Sequence, residues 1–305
     1  MMRKNPSLIV VGTVAIDKLT TPFGAEQTVF GGSASFFSYA ASFFSQVGIV
    51  AVVGEDFPDE YRNILKERNI DLSHLEVKPG KTFHWEGKYE TDMNSAITLR
   101  TDLNVLLDFK PQIRFSKMPE FVFLANVDPD IQLSVLDQVH GSSLKFVASD
   151  TMNFWIQNKP ESVKKVLGRV HAVFMNDGEA RQLTGEVNLI RAAQRIHQMG
   201  PEYVIIKKGE HGALLYSHEG VFLYPAYPLE TVFDPTGAGD SFAGGVMGYL
   251  ASARKVNLKI MKSAIAYGTI VASFTVEKFG LARLREVKRE HFDKRLEVLK
   301  KICKI

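Results

Sequence analysis

The 305-residue chain has one cysteine, Cys303, so it forms no internal disulfide and no multi-cysteine zinc or iron–sulfur centre. No HExxH and no close histidine pair stand among the eight histidines, which argues against a zinc peptidase. No GxxxxGK[ST] phosphate loop is present. Repeats at a solenoid period and low-complexity tracts are absent as well. There is little net charge: 37 Lys+Arg face 34 Asp+Glu, for +3. The uncharged run from Val29 to Gly54 is long enough to cross a bilayer, but Ser33, Ser35, Ser38, Ser42, Ser45, Gln46 and Gly48 interrupt it. It reads as a buried helix over Ser33–Ser45 followed by a strand over Val47–Val53. The apolar run Leu8–Val11 ends at Gly12, too short for a secretory core, so a cytoplasmic protein is expected.

What is present is an ordinary globular composition, 45% hydrophobic and 23% charged. The small basic excess is local. Leu281–Ile305 holds nine Lys/Arg against four Asp/Glu, which leaves the other 280 residues at −2. Phe292, Leu296 and Leu299 recur there at helical spacing, as in a solvated helix docked by one apolar stripe. No aromatic-plus-basic footprint for nucleic acid accompanies it, and no nucleic-acid or membrane partner is expected.

Short β-rich runs alternate with helical patterns. SLIVVGTVAID reads as one strand, GGSASFFSYAASFF as a helix, IVAVVG as a strand and FPDEYRNILKERNI as a helix. FVFLAN, LKFVASD, AVFMN and YVIIKK are further strands, with IQLSVLDQV, EARQLTG and LIRAAQRIHQM as helices between them. The last third is helical, over Asp240–Ser252 and from Lys259 to about Thr275. This order predicts βαβ units, a doubly wound, mainly parallel sheet with helices on both faces. One stretch breaks the pattern. Lys81–Thr101 alternates apolar and polar residues, with turn chemistry at Asp92-Met93-Asn94-Ser95, and predicts an inserted antiparallel hairpin. It serves either as a lid over a cleft or as an edge decoration.

The densest glycine cluster is Asp234-Pro-Thr-Gly-Ala-Gly-Asp-Ser-Phe-Ala-Gly-Gly245. A dinucleotide GxGxxG fails at Phe242, and a hydrolase GxSxG around Ser241 fails at Ala243. A Gly-rich turn opening a helix does fit. Unpaired amides and the positive dipole end stabilise an anion there, and Gly237 and Gly239 permit close backbone approach. Asp240 beside such a site is either the base for an attacking hydroxyl or a helix N-cap; the cluster alone allows both.

DPTGAGDSFAGG resembles the C-terminal signature of the PfkB, or ribokinase-like, family of sugar and nucleoside kinases. Similar stretches extend across almost the whole chain. VVGTVAID looks like the family's first strand, ending in Asp17. Gly31-Gly32 heads the first helix, and VAVVGED runs on to Phe57. Met175-Asn-Asp-Gly-Glu179 resembles the NxxE motif, Val204–Gly212 the strand and turn beside the nucleotide, and Ala272–Gly280 the segment closing the nucleotide pocket. The resemblance implies a single ribokinase-like domain with a small β lid from about 15–31 and 81–104. It implies Asp240 as catalytic base, with the amides of Gly237, Ala238, Gly239 and Asp240 as anion hole. Asn176 and Glu179 would help hold Mg²⁺. Lys207, Gly209, Gly212, Thr236, Gly268 and Ala272 would join Asn176, Gly237 and Gly239 around ATP. Asp17, Gly31 and Gly32 would line the acceptor pocket. Asp234 would support the loop near a monovalent-cation site, and lids in the family can pair between subunits, so a homodimer is compatible.

The chain also departs from the family. Phe36 stands where sugar-specific members carry a hydroxyl-binding Asn four residues after the glycine pair. Ala15 replaces another such Asn, and the DPNxR stretch reads Asp150-Thr-Met-Asn153-Phe-Trp155, with Asn153 displaced and no Arg. Asn126, Asn153, Asn104 and Arg100 are the other candidate polar contacts. Fewer polar groups change which hydroxyls are satisfied. The expected activity is an ATP-dependent kinase for a small hydroxylated metabolite, first of all a sugar. Second is a nucleoside or inositol-like ring. A non-catalytic ligand-binding regulator and a serine hydrolase built on Ser241 are readings from other classes; the retained Asp240 speaks against the regulator.

Overall fold

The computed structural model describes residues 6–303 except Asp92, Asn94 and Ser95, and no side chain is described for Ala25 or Glu26. The strands are β1 (Leu8–Val11), β2 (Ala15–Thr21), β3 (Gly24–Gly31), β4 (Val47–Gly54), β5 (Asp71–Lys78), β6 (Phe83–Tyr89), β7 (Ala96–Asp102), β8 (Phe121–Leu124), β9 (Phe146–Asp150), β10 (Ala172–Asn176), β11 (Tyr203–Lys207), β12 (Ala213–Ser217) and β13 (Gly220–Tyr224). The helices are α1 (Ser33–Ala41), α2 (Asp59–Glu67), α3 (Pro129–Gln138), α4 (Asn153–Asn158), α5 (Pro160–Leu167), α6 (Asp177–Thr184), α7 (Leu189–Gln198), α8 (Ala238–Ala253), α9 (Leu258–Thr275), α10 (Ala282–Glu286) and α11 (Arg289–Ile302).

Nine strands form the main sheet in the order β13-β12-β11-β10-β9-β8-β1-β4-β5. All neighbours from β11 to β5 are parallel, and β12 and β13 add an antiparallel edge. Strand alternation sends Leu8, Val10, Phe121, Phe123, Phe174 and Ile205 to one face, under α1, α2 and α8–α11. Ile9, Val11, Val122, Leu124 and Val147 go to the other face with α3 and α5, beside a third cluster with α6 and α7. Burial on both sides explains why these strands read as continuous apolar runs. The chain leaves the sheet centre in opposite directions from β1, toward β4 and toward β8. In such α/β sheets the crevice at this reversal, beyond the carboxyl ends of the strands, is the ligand position.

A second sheet of four strands, β3-β2-β6-β7, lies beside the main one. Strands β6 and β7 are the expected antiparallel hairpin, pairing from His84–Asp102 to Tyr89–Ala96. Most of the expected turn at residues 92–95 lies outside the described residues. SLIVVGTVAID is not one strand. The main sheet takes β1, the small sheet takes β2, and the chain turns at Gly12-Thr13. A Cβ on Gly12 would fall 2.8 Å from Ala125 Cβ and Ser33 Oγ. Thr13 is tied to the start of α1: its N–H donates to Ser33 Oγ (3.1 Å), and its Oγ1 accepts Ser33 N–H (3.0 Å). Asp17 therefore belongs to the small sheet rather than to the first strand of the main one.

Helix α1 meets α8 almost backbone to backbone. A Cβ on Gly244 would lie 2.3 Å from Phe37 O, and one on Gly248 2.8 Å from Ala41. Gly244→Ala is expected to force the helices apart at about 1–3 kcal/mol, read as a melting temperature several degrees lower. Among the described residues no helix is long and apolar enough to cross a membrane. The C-terminal basic stretch forms two helices, α10 and α11, and Phe292, Leu296 and Leu299 are buried as the spacing predicts.

Candidate active site

Three adjacent parallel strands end in polar residues: β9 in Asp150, β10 in Asn176 and β11 in Lys207. Register pairs Asn176 with Lys207 and Phe174 with Asp150, so the three ends lie at the same carboxyl edge of the sheet. Above that edge the loop Asp234–Gly237 turns into α8. Gly237 is its N-cap at φ 72°, the left-handed region that glycine enters at little cost. The Phe36 ring lies directly beneath, and a Cβ on Gly237 would fall 2.3 Å from it. The Ala238 amide donates to Pro235 O at 3.1 Å and the Ser241 amide to Gly237 O at 2.8 Å. Among the described bonds the amides of Gly237, Gly239 and Asp240 have no partner. Of the four amides expected to hold an anion, Ala238 is thus already engaged and three are open.

Beside these amides sits a charged cluster. Lys207 Nζ donates to Asp150 Oδ2 at 2.6 Å, and Asp150 is 3% exposed. A Cβ at Gly239 would be 3.2 Å from Lys207 Nζ, which places the ammonium against the first turn of α8. Burial pulls Lys207 down, but Asp150, Glu179 and Asp240 outweigh it and raise it, so it is a firm cation. Asp240 is half-buried. Burial, with Asp150 adding, pushes its carboxyl up to about 7 against the pull of Lys207. Burial likewise pushes Glu179 up to about 7. Asp240 is therefore a carboxyl poised near neutrality, the range in which a general base works best.

Asn176 and Glu179 form a reciprocal cap on α6. Asn176 Oδ1 accepts Glu179 N–H at 2.8 Å, and Glu179 Oε2 accepts Asn176 N–H at 2.6 Å. Each side chain thus has one atom engaged in folding and the other outside the cap. Among the described residues no cluster of three His, Cys, Asp or Glu is arranged to bind a metal directly. Three carboxylates around one ammonium are nevertheless an oxygen-rich, net negative surround, which fits an ion such as Mg²⁺ held through its waters.

On the acceptor side, Asp17 is 4% exposed and faces Gly31 so closely that a Cβ there would lie 1.8 Å from Asp17 Oδ2. Burial, eased by a hydrogen bond from the Gly32 amide and increased by Asp234 and Asp240, raises Asp17 to about 8. Gly32 caps α1 at φ 96°, a backbone position that favours glycine. The other predicted polar contacts have local partners. Asn126 accepts Trp155 Nε1–H (3.1 Å) and donates to Met152 Sδ (3.1 Å). Exposed Asn153 accepts the Phe154 amide at 2.8 Å. Arg100 points outward on β7 and is paired with Asp102 at 2.9 Å. Asn104 donates to Thr82 O at 2.9 Å.

Of the residues expected around a nucleotide, Gly209 opens a short 3-10 turn between β11 and β12. Gly212 closes it at φ 82°, where a Cβ would meet Tyr224 O. Gly268 lies at the α8–α9 contact, where a Cβ would be 2.6 Å from Val246 Cγ2. Ala272 is half-buried on the same helix. Asp234 accepts the Thr236 amide through Oδ1 and the Gly280 amide through Oδ2, each at 2.9 Å. It acts as a loop clamp, with both oxygens engaged. Ser241 is fully buried in the first turn of α8 with no strand leading into it, which removes the nucleophile-elbow geometry. Asp150 and Tyr89 are not among the residues expected at the site. Their signals are a carboxylate at the end of an apolar run and a tyrosine at the end of a hairpin strand.

A parallel sheet with a switch point, a small second sheet beside it and a glycine-rich helix start carrying a carboxyl define a phosphotransferase on the ribokinase-like fold. The chain belongs to the pfkB family of carbohydrate kinases, which it matches over residues 17–287. It is 30% identical over 250 residues to the cytidine kinase of Thermococcus kodakarensis, covering 79% of this chain and 87% of that one. The crystal structure of Methanocaldococcus jannaschii nucleoside kinase, an archaeal member of the ribokinase family, superposes with TM-score 0.77 at 22% identity, covering 97% of this chain and 98% of that one. The structure of a putative ribokinase II from E. coli in complex with ATP and Mg²⁺ superposes with TM-score 0.79 at 17% identity, over 95% and 99% of the two chains.

Proposed function

We propose that this protein transfers the γ-phosphoryl group of ATP to a hydroxyl of a nucleoside, with Asp240 as base. The observation that carries this reading is the Asp240 carboxyl on the first turn of α8, beside open amides and the Lys207 cation. The acceptor lies toward Asp17, Gly31 and Gly32. Asp240 takes the hydroxyl proton as the new O–P bond forms, and the bond to the ADP oxygen breaks. The Gly237, Gly239 and Asp240 amides stabilise charge on the transferring oxygens. Mg²⁺, when bound, neutralises phosphate charge, and Asn176 and Glu179 would hold it through water. The small sheet acts as a lid that excludes water. Exposed Ile97 and Leu99 on its edge strand β7 suit pairing with a second copy.

Two features favour a nucleoside over the free sugar expected first. Phe36 occupies the position of the sugar-binding Asn. Phe154, half-exposed, stands edge-on to Trp155 at 4.8 Å, and Trp155 is anchored to Asn126 at the end of β8, giving an aromatic wall beyond the strand ends. The cytidine and nucleoside kinases similar to this chain point the same way. ADP release should be followed with ATP, Mg²⁺ and a panel of nucleosides, free sugars and inositols. A nucleoside is expected to give the highest kcat/KM; a free sugar doing so would return the reading to a sugar kinase. Turnover on none of them, with ATP still bound, would make the protein a regulator. Ser241→Ala should retain most of the activity.

A further inference from the structure

Four contacts join the small sheet to the two segments on either side of Asp234. Phe23, at the β2–β3 turn, meets Phe233 with ring centroids 5.4 Å apart. Gly24 lies under the Phe279 ring, where a Cβ would come within 2.8 Å. Gly280 backs onto Val29, 3.4 Å from its own Cβ position. Tyr89, the last residue of β6, is buried, and its phenolic oxygen accepts a hydrogen bond from Thr236 Oγ1 at 3.3 Å. The two segments are themselves tied together. Asp234 accepts the Thr236 and Gly280 amides, and the Phe233 amide donates to Val276 O at 2.8 Å. Thr236, one residue before the N-cap of α8, is therefore held by Asp234 within the body and by Tyr89 from the small sheet.

We propose that Tyr89 is a positioning residue: its hydroxyl, carried on the small sheet, fixes Thr236 and hence the amides that open α8. The phosphoryl site is then fully formed only while the small sheet covers the acceptor pocket. This rests on the anion-hole reading above and adds a coupling between acceptor closure and phosphoryl transfer. Burial, with Asp234, Asp17 and Asp240 adding and Thr236 opposing, holds the phenol well above its usual range. Tyr89 therefore stays a neutral hydroxyl throughout the working pH range. The sheet-borne contact to Thr236 is also the one that loss of a single atom removes, since Tyr89→Phe would keep the ring in its buried place.

The test is a double-variant cycle with ATP, Mg²⁺ and the nucleoside that the wild type turns over fastest. Tyr89→Phe and Thr236→Val should each lower kcat about tenfold, the scale of one hydrogen bond acting on the transition state. KM for ATP should stay within about twofold. The double variant should be no slower than either single one, and Thr236→Ser, which keeps the hydroxyl, should lose less than Thr236→Val. ATP hydrolysis without acceptor, taken relative to nucleoside phosphorylation, should rise in Tyr89→Phe. Melting temperatures control for folding, and the Val/Ser pair at Thr236 carries the test if Tyr89→Phe does not fold. Additive losses, or a Tyr89→Phe kcat equal to wild type, would overturn the coupling. Failure of the underlying phosphotransfer reading shows separately, as a wild type that phosphorylates no nucleoside or as turnover that survives Asp240→Asn.

Discussion

Asp240→Asn is expected to lower kcat about 10²- to 10⁴-fold while ATP binding persists, the usual weight of a general base. The same substitution should make the protein harder to melt above neutral pH. The sign follows from the raised carboxyl, moved from 3.8 to about 7 by burial first and Asp150 second. Between those values the folded protein holds a proton that the unfolded chain releases, so this group lowers stability as pH rises through the window. Above about pH 7 the folded state carries the cost of an anion that partial burial and Asp150 disfavour. Asparagine removes that cost. The melting-temperature difference between variant and wild type should therefore grow from pH 4 to pH 7 and then level off. In the wild type, kcat/KM should fall as the pH drops below about 7, because the base becomes protonated. A variant that stays active, or a stability difference that shrinks with rising pH, would sink the assignment. Loss of function with gain of stability is the mark of a site strained for chemistry.

The second large effect is expected at Lys207. Lys207→Met strands the carboxylate of Asp150, which is 3% exposed and has lost its 2.6 Å partner. Breaking a buried pair on one side costs about 3–5 kcal/mol. The lower end applies here because the lysine side chain keeps 19% exposure. The fall in melting temperature should be several degrees, and it should be largely restored in Lys207→Met/Asp150→Leu, where both charges go together. Activity should not return in that double variant, because Asp240 and the α8 amides still lack the adjacent cation. Calorimetry and turnover on the same two variants separate the effects: restored activity would reduce Lys207 to a folding residue.

Much of the main sheet was legible because its strands are buried on both faces and read as apolar runs. The DPTGAGD loop was legible because left-handed Gly237 and the helix start leave few other sequences possible. What was not legible is informative. β5 reads poorly because it is an edge strand, with Leu75 its one buried residue. The apolar run from Leu8 through Asp17 hides its division between two sheets, because Gly12 is chosen for a contact with Ala125 and Ser33 far along the chain. Asn176 and Glu179 look alike as ligands and as caps, and only coordinates show that one atom of each is engaged in the cap. Arg100 and Asn153 are ordinary polar letters in sequence and turn out to be satisfied by Asp102 and the Phe154 amide. Tyr89 carries no local signal at all: its partner, Thr236, is 147 residues away.

The packing of Phe36 against Gly237 has a consequence for any attempt to redesign the acceptor. The residue that would ordinarily be exchanged to admit a sugar is also the shim that sets the height of the phosphate loop. Replacing its ring with a smaller polar group would open space for hydroxyls and at the same time remove the support beneath Gly237, the start of the proposed anion hole. On the proposed reading, selectivity and rate meet at this position, so a changed preference obtained there is expected to arrive with a slower enzyme unless the loop is re-supported from elsewhere.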